Sequence, residues 1–115
     1  MSRPHEDVSN RADGRLTFDE VVEAFEAAWE IAGGANPRCY MPSTDHPDWR
    51  RIALGLLCVD VERRCSIGQR QVLVNYRRDY ADVLGEDEAL ERLAFEDYRA
   101  RLAVGESVDP GEYTL

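Results

Sequence analysis

Few residues in this chain are of a type and spacing that could do chemistry. Its three cysteines, Cys39, Cys58 and Cys65, and its two histidines, His5 and His46, are the nucleophile, base and soft metal-ligand candidates. No CxxC or HxxxH pair occurs among them. Cys58 and Cys65 fall inside one apolar helical pattern, which suits small buried hydrophobes better than a zinc site. On one helix they stand ~10.5 Å apart at ~1.5 Å of rise per residue, beyond the span of a disulfide. The odd cysteine count fits a reducing compartment. No serine or cysteine is placed by spacing beside a histidine, so a nucleophile and base pair is not indicated. All fourteen basic residues are arginine. The absence of lysine removes the P-loop lysine, the Schiff-base lysine and the strand lysine that holds ATP phosphates. There is also no Gly-rich phosphate loop, no His-Arg-Asp and no Asp-Phe-Gly. No catalytic residue, metal or cofactor is therefore expected.

Carboxylates and aromatics offer more. Asp60 and Asp97 each stand four residues before an arginine, Arg64 and Arg101. That spacing makes a helical ion pair, which is worth a few tenths of a kcal/mol when exposed. The structural pairing is preferred to a catalytic acid or base. Trp29, Tyr40, Tyr76, Tyr98 and Tyr113 could line a protein-contact groove flanked by Arg64, Arg77 and Arg101, with Trp49 as a further aromatic. The competing expectation buries the tryptophans and uses the tyrosines to hold loop to helix.

The elements that must position these residues follow from apolar spacing. Residues 1–15 are polar and aperiodic and read as a flexible leader. Thr17 and Glu20 form a capping box, and Val21, Val22, Phe25, Ala28, Trp29 and Ala32 follow at helical spacing up to Gly33-Gly34. A loop with a turn near Arg38 to Met41 leads to Pro47, where a second long helix begins and runs to Gly68. Residues 73–82 can make a short helix that Gly85 ends, and Asp87 to Ala103 is a third long helix. Asp109-Pro110 marks a further helix start.

The second and third long helices overlay at a shift of 97 − 60 = 37 residues, with Leu56 on Leu93, Asp60 on Asp97, Arg64 on Arg101, Gly68 on Gly105 and Tyr76 on Tyr113. The first joins at 68 − 33 = 35, with Val21 on Leu56, Trp29 on Arg64 and Gly33 on Gly68. The expectation is an all-α chain, a small helical array of two full and one partial helix-loop-short-helix repeats. The units fall at about 17–42, 47–82 and 86–115, in a single domain over 16–115. Stacked copies would bury one another's apolar stripes. Each tyrosine would lay its ring on the preceding helix with its hydroxyl at the surface. The period is near that of tetratricopeptide repeats, but their Trp-x-x-Leu-Gly-x-x-Tyr signature is missing.

Of the 115 residues 43% are hydrophobic, and the balance of 14 basic against 23 acidic side chains gives a net charge of −9. This is enough apolar material for one core without metals or disulfides. The excess of negative charge opposes phosphate backbones, so no nucleic-acid partner is expected. No apolar run approaches the roughly 18 residues of a membrane span, and the polar start MSRPHEDVSN is unlike a signal peptide. A cytoplasmic location with no membrane partner is the expectation.

The stretch from Pro47 to Arg64, followed by Gly68 and Asn75-Tyr76, resembles the helical region upstream of the catalytic domain in bacterial eukaryotic-like serine/threonine kinases. Phe25-Glu26-Ala27-Ala28-Trp29 is similar to the opening helix of that region, and Val59-Asp60-Val61-Glu62-Arg63-Arg64 to its middle one. Phe95-Glu96-Asp97-Tyr98-Arg99-Ala100-Arg101 resembles the last, and Glu112-Tyr113 the closing motif. The similarity covers about residues 18–115, departing at Asp79-Tyr80-Ala81, where Phe-Pro is usual. It implies a non-catalytic regulatory or protein-interaction domain associated with a bacterial Ser/Thr kinase, with a protein partner such as the kinase domain of the same full-length chain. The alternative is a stand-alone small acidic binding protein, a truncated paralogue or inhibitor. A small hydrolase using Cys39 or Cys65 is a more distant one.

Overall fold

The structure is a computed structural model that describes residues 16–113; the expected leader over 1–15 lies outside the described residues. Helix α1 (Phe18–Ala32) starts where expected, because both halves of the Thr17–Glu20 capping box form, at 3.2 Å and 2.8 Å. These bonds satisfy two amides that the helix cannot pair internally. It ends on Gly33 in the left-handed conformation, and Gly68 and Gly105, which follow the other two long helices, also have positive φ. Only glycine adopts that conformation without a side-chain clash.

A 3-10 turn, Pro37–Tyr40, follows α1. Helix α2 (Trp49–Ser66) begins two residues inside the Pro47 boundary expected from sequence, with Pro47 and Asp48 forming a turn. The short helix expected over 73–82 is broken into α3 (Leu73–Asp79) and α4 (Ala81–Leu84). Tyr80 leaves helical geometry between them, at φ −126° and ψ 42°. Tyr76 from the first, Val83 and Leu84 from the second, and Tyr80 between them are all buried. Helix α5 (Asp87–Ala103) matches its expected bounds, and a 3-10 turn, Pro110–Tyr113, follows. The described residues are all-α, without a strand.

Helix α2 is the axis of the fold. Ala53, Leu57, Val61 and Cys65, spaced by four, face one apolar cluster with Tyr76, Tyr80, Val83, Leu84, Leu93 and Ala100. Ile52 and Leu56 face a second cluster with Val21, Phe25 and Trp29 of α1. A helix buried on two sides needs an apolar surface wider than one stripe, and α2 supplies it. Trp29 is buried within the second cluster, whereas Trp49 is half-buried against the first.

Leu57 is fully buried at the middle of α2, so Leu57→Ala should cost about 2–5 kcal/mol in urea unfolding through lost contacts and the cavity left behind. Val74→Ala, on an exposed residue of α3, should stay within about 0.5 kcal/mol of the parent.

Candidate functional site

Two carboxylates are buried in the long helices, Asp60 in α2 at 2% exposure and Asp97 in α5 at 0%. A buried carboxylate persists as an ion only when donors replace its lost water. At Asp97 both oxygens are supplied. Arg70, from the loop after Gly68, donates Nε to Oδ1 at 3.0 Å and Nη2 to Oδ2 at 2.7 Å. The Tyr113 hydroxyl donates to Oδ2 at 2.5 Å and itself accepts from Arg101 Nη1 at 3.0 Å. Arg101 is anchored in turn by Glu106 and Glu112, each at 2.9 Å.

The ion pair expected between Asp97 and Arg101 is therefore not formed. The fork of Arg70 occupies the carboxylate, and Arg101 reaches it only through Tyr113. At Asp60 the expected pair does form, Arg64 Nε donating to Oδ2 at 2.9 Å, but on a buried carboxylate rather than an exposed helix face. The Tyr76 hydroxyl donates to the same oxygen at 2.6 Å. Both tyrosine hydroxyls thus point inward, not to the surface as expected, each donating to Oδ2 of a buried carboxylate 16 residues earlier. In α1 the position that the sequence overlay aligns with Asp60 holds Phe25, and the Tyr40 ring packs edge-on against it with centroids 5.3 Å apart.

Asp60 differs from Asp97 in one respect: its Oδ1 is buried and accepts no hydrogen bond. The only other buried side-chain polar atom left unpaired among the described residues is Trp29 Nε1. Asp60 lines an open cavity of about 410 Å³ together with Arg64, Tyr76 and Tyr80. Ala35, Asn36, Pro37, Gln71 and Asp79 also line it. Burial, and then the Asp60 carboxylate, push the Tyr76 phenol well above its ordinary range. Burial raises Tyr80 and Tyr113 as well. The Tyr76 and Tyr113 hydroxyls therefore remain donors across the physiological range.

The residues proposed from sequence for one groove lie in four places. Tyr76 and Arg64 meet at the Asp60 cavity, with Trp29 behind them, the Arg64 guanidinium lying 5.9 Å from its ring centre. Tyr98, Arg101 and Tyr113 gather about Asp97, the two tyrosine rings edge to face at 5.9 Å. Tyr40 lies at a separate cavity of about 500 Å³ beside Cys39 and His46, and Arg77 is exposed on α3. The sequence overlay aligned the two aspartates and their tyrosines but gave no sign of Arg70, whose contact spans 27 residues, or of Ala35 and Gln71.

Cys58, Cys65 and His46 are otherwise engaged, whereas Cys39 is exposed and His5 lies outside the described residues. Burial raises the thiol of Cys58 to about 11 and also lifts Cys65, the nearby Glu96 and Asp97 charges adding to the respective effects. Both thiols are thereby held protonated and weakly nucleophilic. His46 Nδ1 accepts from the Asp48 amide at 2.9 Å while Nε2 lies 3.0 Å from the Leu16 carbonyl, so both nitrogens tie the loop together. Among the described residues, no group of three or more His, Cys, Asp or Glu could hold a metal ion. Comparison with protein families, curated proteins and solved structures finds no match to this chain.

Tyr76→Phe should destabilise the protein by about 1–3 kcal/mol in urea unfolding, since it strips a donor from a buried carboxylate that already has one oxygen unpaired. Tyr113→Phe should cost less, because Arg70 still holds both oxygens of Asp97. An unfolded phenol ionises near pH 10, and these folded ones hold their protons to higher pH. Their contribution should be fully present below about pH 10 and lost as pH rises beyond it. Stability measured across pH 8–12 should fall on the alkaline side, less steeply in Tyr76→Phe, with the pH range set by the ordinary phenol value.

Proposed function

We propose that this chain is a non-catalytic protein-interaction domain, regulatory to a Ser/Thr protein kinase, that docks its partner at the Asp60 cavity. The observation that carries the binding role is the buried, unpaired Oδ1 of Asp60, a residue that lines an open cavity. A buried acceptor without a donor costs about 1–3 kcal/mol. A partner that supplies the donor recovers that cost on binding. The cavity volume lies within the range of sites that receive a ligand or an anchoring side chain.

The kinase association rests on the resemblance of Val59 to Arg64, with Gly68 and Tyr76, to the region upstream of bacterial kinase domains. Three polar residues of that motif, Asp60, Arg64 and Tyr76, line the cavity. Docking at such a site biases whichever state of the kinase presents the matching donor, which is how a domain without chemistry of its own regulates one that has it.

Titrating this chain calorimetrically into the Ser/Thr kinase catalytic domain encoded with it or beside it should give saturable binding, with a dissociation constant of about 1–100 μM, and a changed autophosphorylation rate. An absence of binding heat with unaltered autophosphorylation would overturn the kinase association.

A further inference from the structure

The two buried carboxylates differ by one missing cation. Arg70, which forks onto Asp97, stands two residues after Gly68, the positive-φ glycine that follows α2. Two residues after Gly33, the positive-φ glycine that follows α1, the chain has Ala35. Ala35 lines the Asp60 cavity, so a methyl group stands in its lining where the equivalent loop position at Asp97 carries a guanidinium. Asp60 Oδ1, the counterpart of the oxygen that receives Arg70 Nε, is buried and has no donor.

Resting on the interaction role above and naming its chemistry, we propose that the Asp60 cavity is a socket for an arginine side chain presented by the partner protein. The incoming guanidinium donates to Asp60 Oδ1, as Arg70 donates to Asp97 Oδ1. Oδ2 keeps its bonds to Arg64 and Tyr76. Asp79 and Gln71, which also line the cavity, offer further acceptors for the remaining N–H groups. Arg64 does not bar a second cation, since Arg70 and Arg101 already approach one another around Asp97. The net charge of −9 draws a basic segment toward the surface. Arginine is preferred over lysine because its planar fork holds several acceptors at fixed angles, while an ammonium is a compact, strongly hydrated point charge.

The test uses the full chain, isotopically labelled, titrated with N-acetyl-arginine amide and separately with N-acetyl-lysine amide while amide chemical shifts are followed. Saturable shifts at Asn36, Asp60 and Gln71 with the arginine probe, and affinity for the lysine probe weaker by about tenfold or more, support the socket. No saturable shift at these residues, or equal affinity for both probes, overturns it. Asp60→Asn should abolish the shifts. Should that variant fail to fold, Ala35→Arg provides the second arm, because it supplies the missing guanidinium from within. It should raise the melting temperature and eliminate probe binding, and a variant that still binds the probe unchanged overturns the proposal. Partner binding that persists in Ala35→Arg would leave the interaction role standing while removing the socket from it.

Discussion

Burying a carboxylate in a helix core creates an obligation that the surrounding chain must meet. Asp60 and Asp97 sit where leucine or valine would pack without polar demands, and each needs hydrogen-bond donors in place of the water it has lost. The tyrosines that answer this need lie after the helix has ended, beyond a glycine that turns the chain back. The carboxylate thereby ties a long helix to the segment that follows it. Removing one partner of such an arrangement costs more than the arrangement itself contributes, so the contacts act more as specification than as surplus stability.

Around this constraint the apolar packing is ordinary. α2 lies between α1 and the α3 to α5 segment, with its apolar residues divided between two clusters. The break at Tyr80 allows α3 and α4 to bring Tyr76, Val83 and Leu84 onto α2 and α5 together. The polar and apolar demands meet at Tyr76, whose ring belongs to the core cluster and whose hydroxyl belongs to Asp60.

Much of the fold was legible in the sequence because its signals are local. The capping box at Thr17, the apolar spacing of the long helices and the glycines at 33, 68 and 105 all act within a few residues, and the helices form where those signals place them. The alignment of Asp60 with Asp97 and of Tyr76 with Tyr113 also placed the polar pairs at matching positions. What sequence did not disclose was direction and distance. A tyrosine ring can turn its hydroxyl out or in, and only the burial of the aspartate decides it. Arg101 looked like the partner of Asp97 by helical spacing, yet Arg70 outcompetes it from a loop 27 residues away, because a two-pronged contact satisfies both oxygens at once. The cavity at Asp60 was least legible of all, because its lining is gathered from the loop after α1, from α2 and from the segment after Gly68.

The central claim is that each buried aspartate is held through the hydroxyl of the tyrosine that follows it. Double-mutant cycles measure this most directly, combining Asp60→Asn with Tyr76→Phe, and Asp97→Asn with Tyr113→Phe, by urea unfolding. Coupling of about 1–3 kcal/mol in both cycles is the predicted result. Additivity within about 0.5 kcal/mol in either cycle would show that the hydroxyl and carboxylate do not depend on one another and would contradict the account.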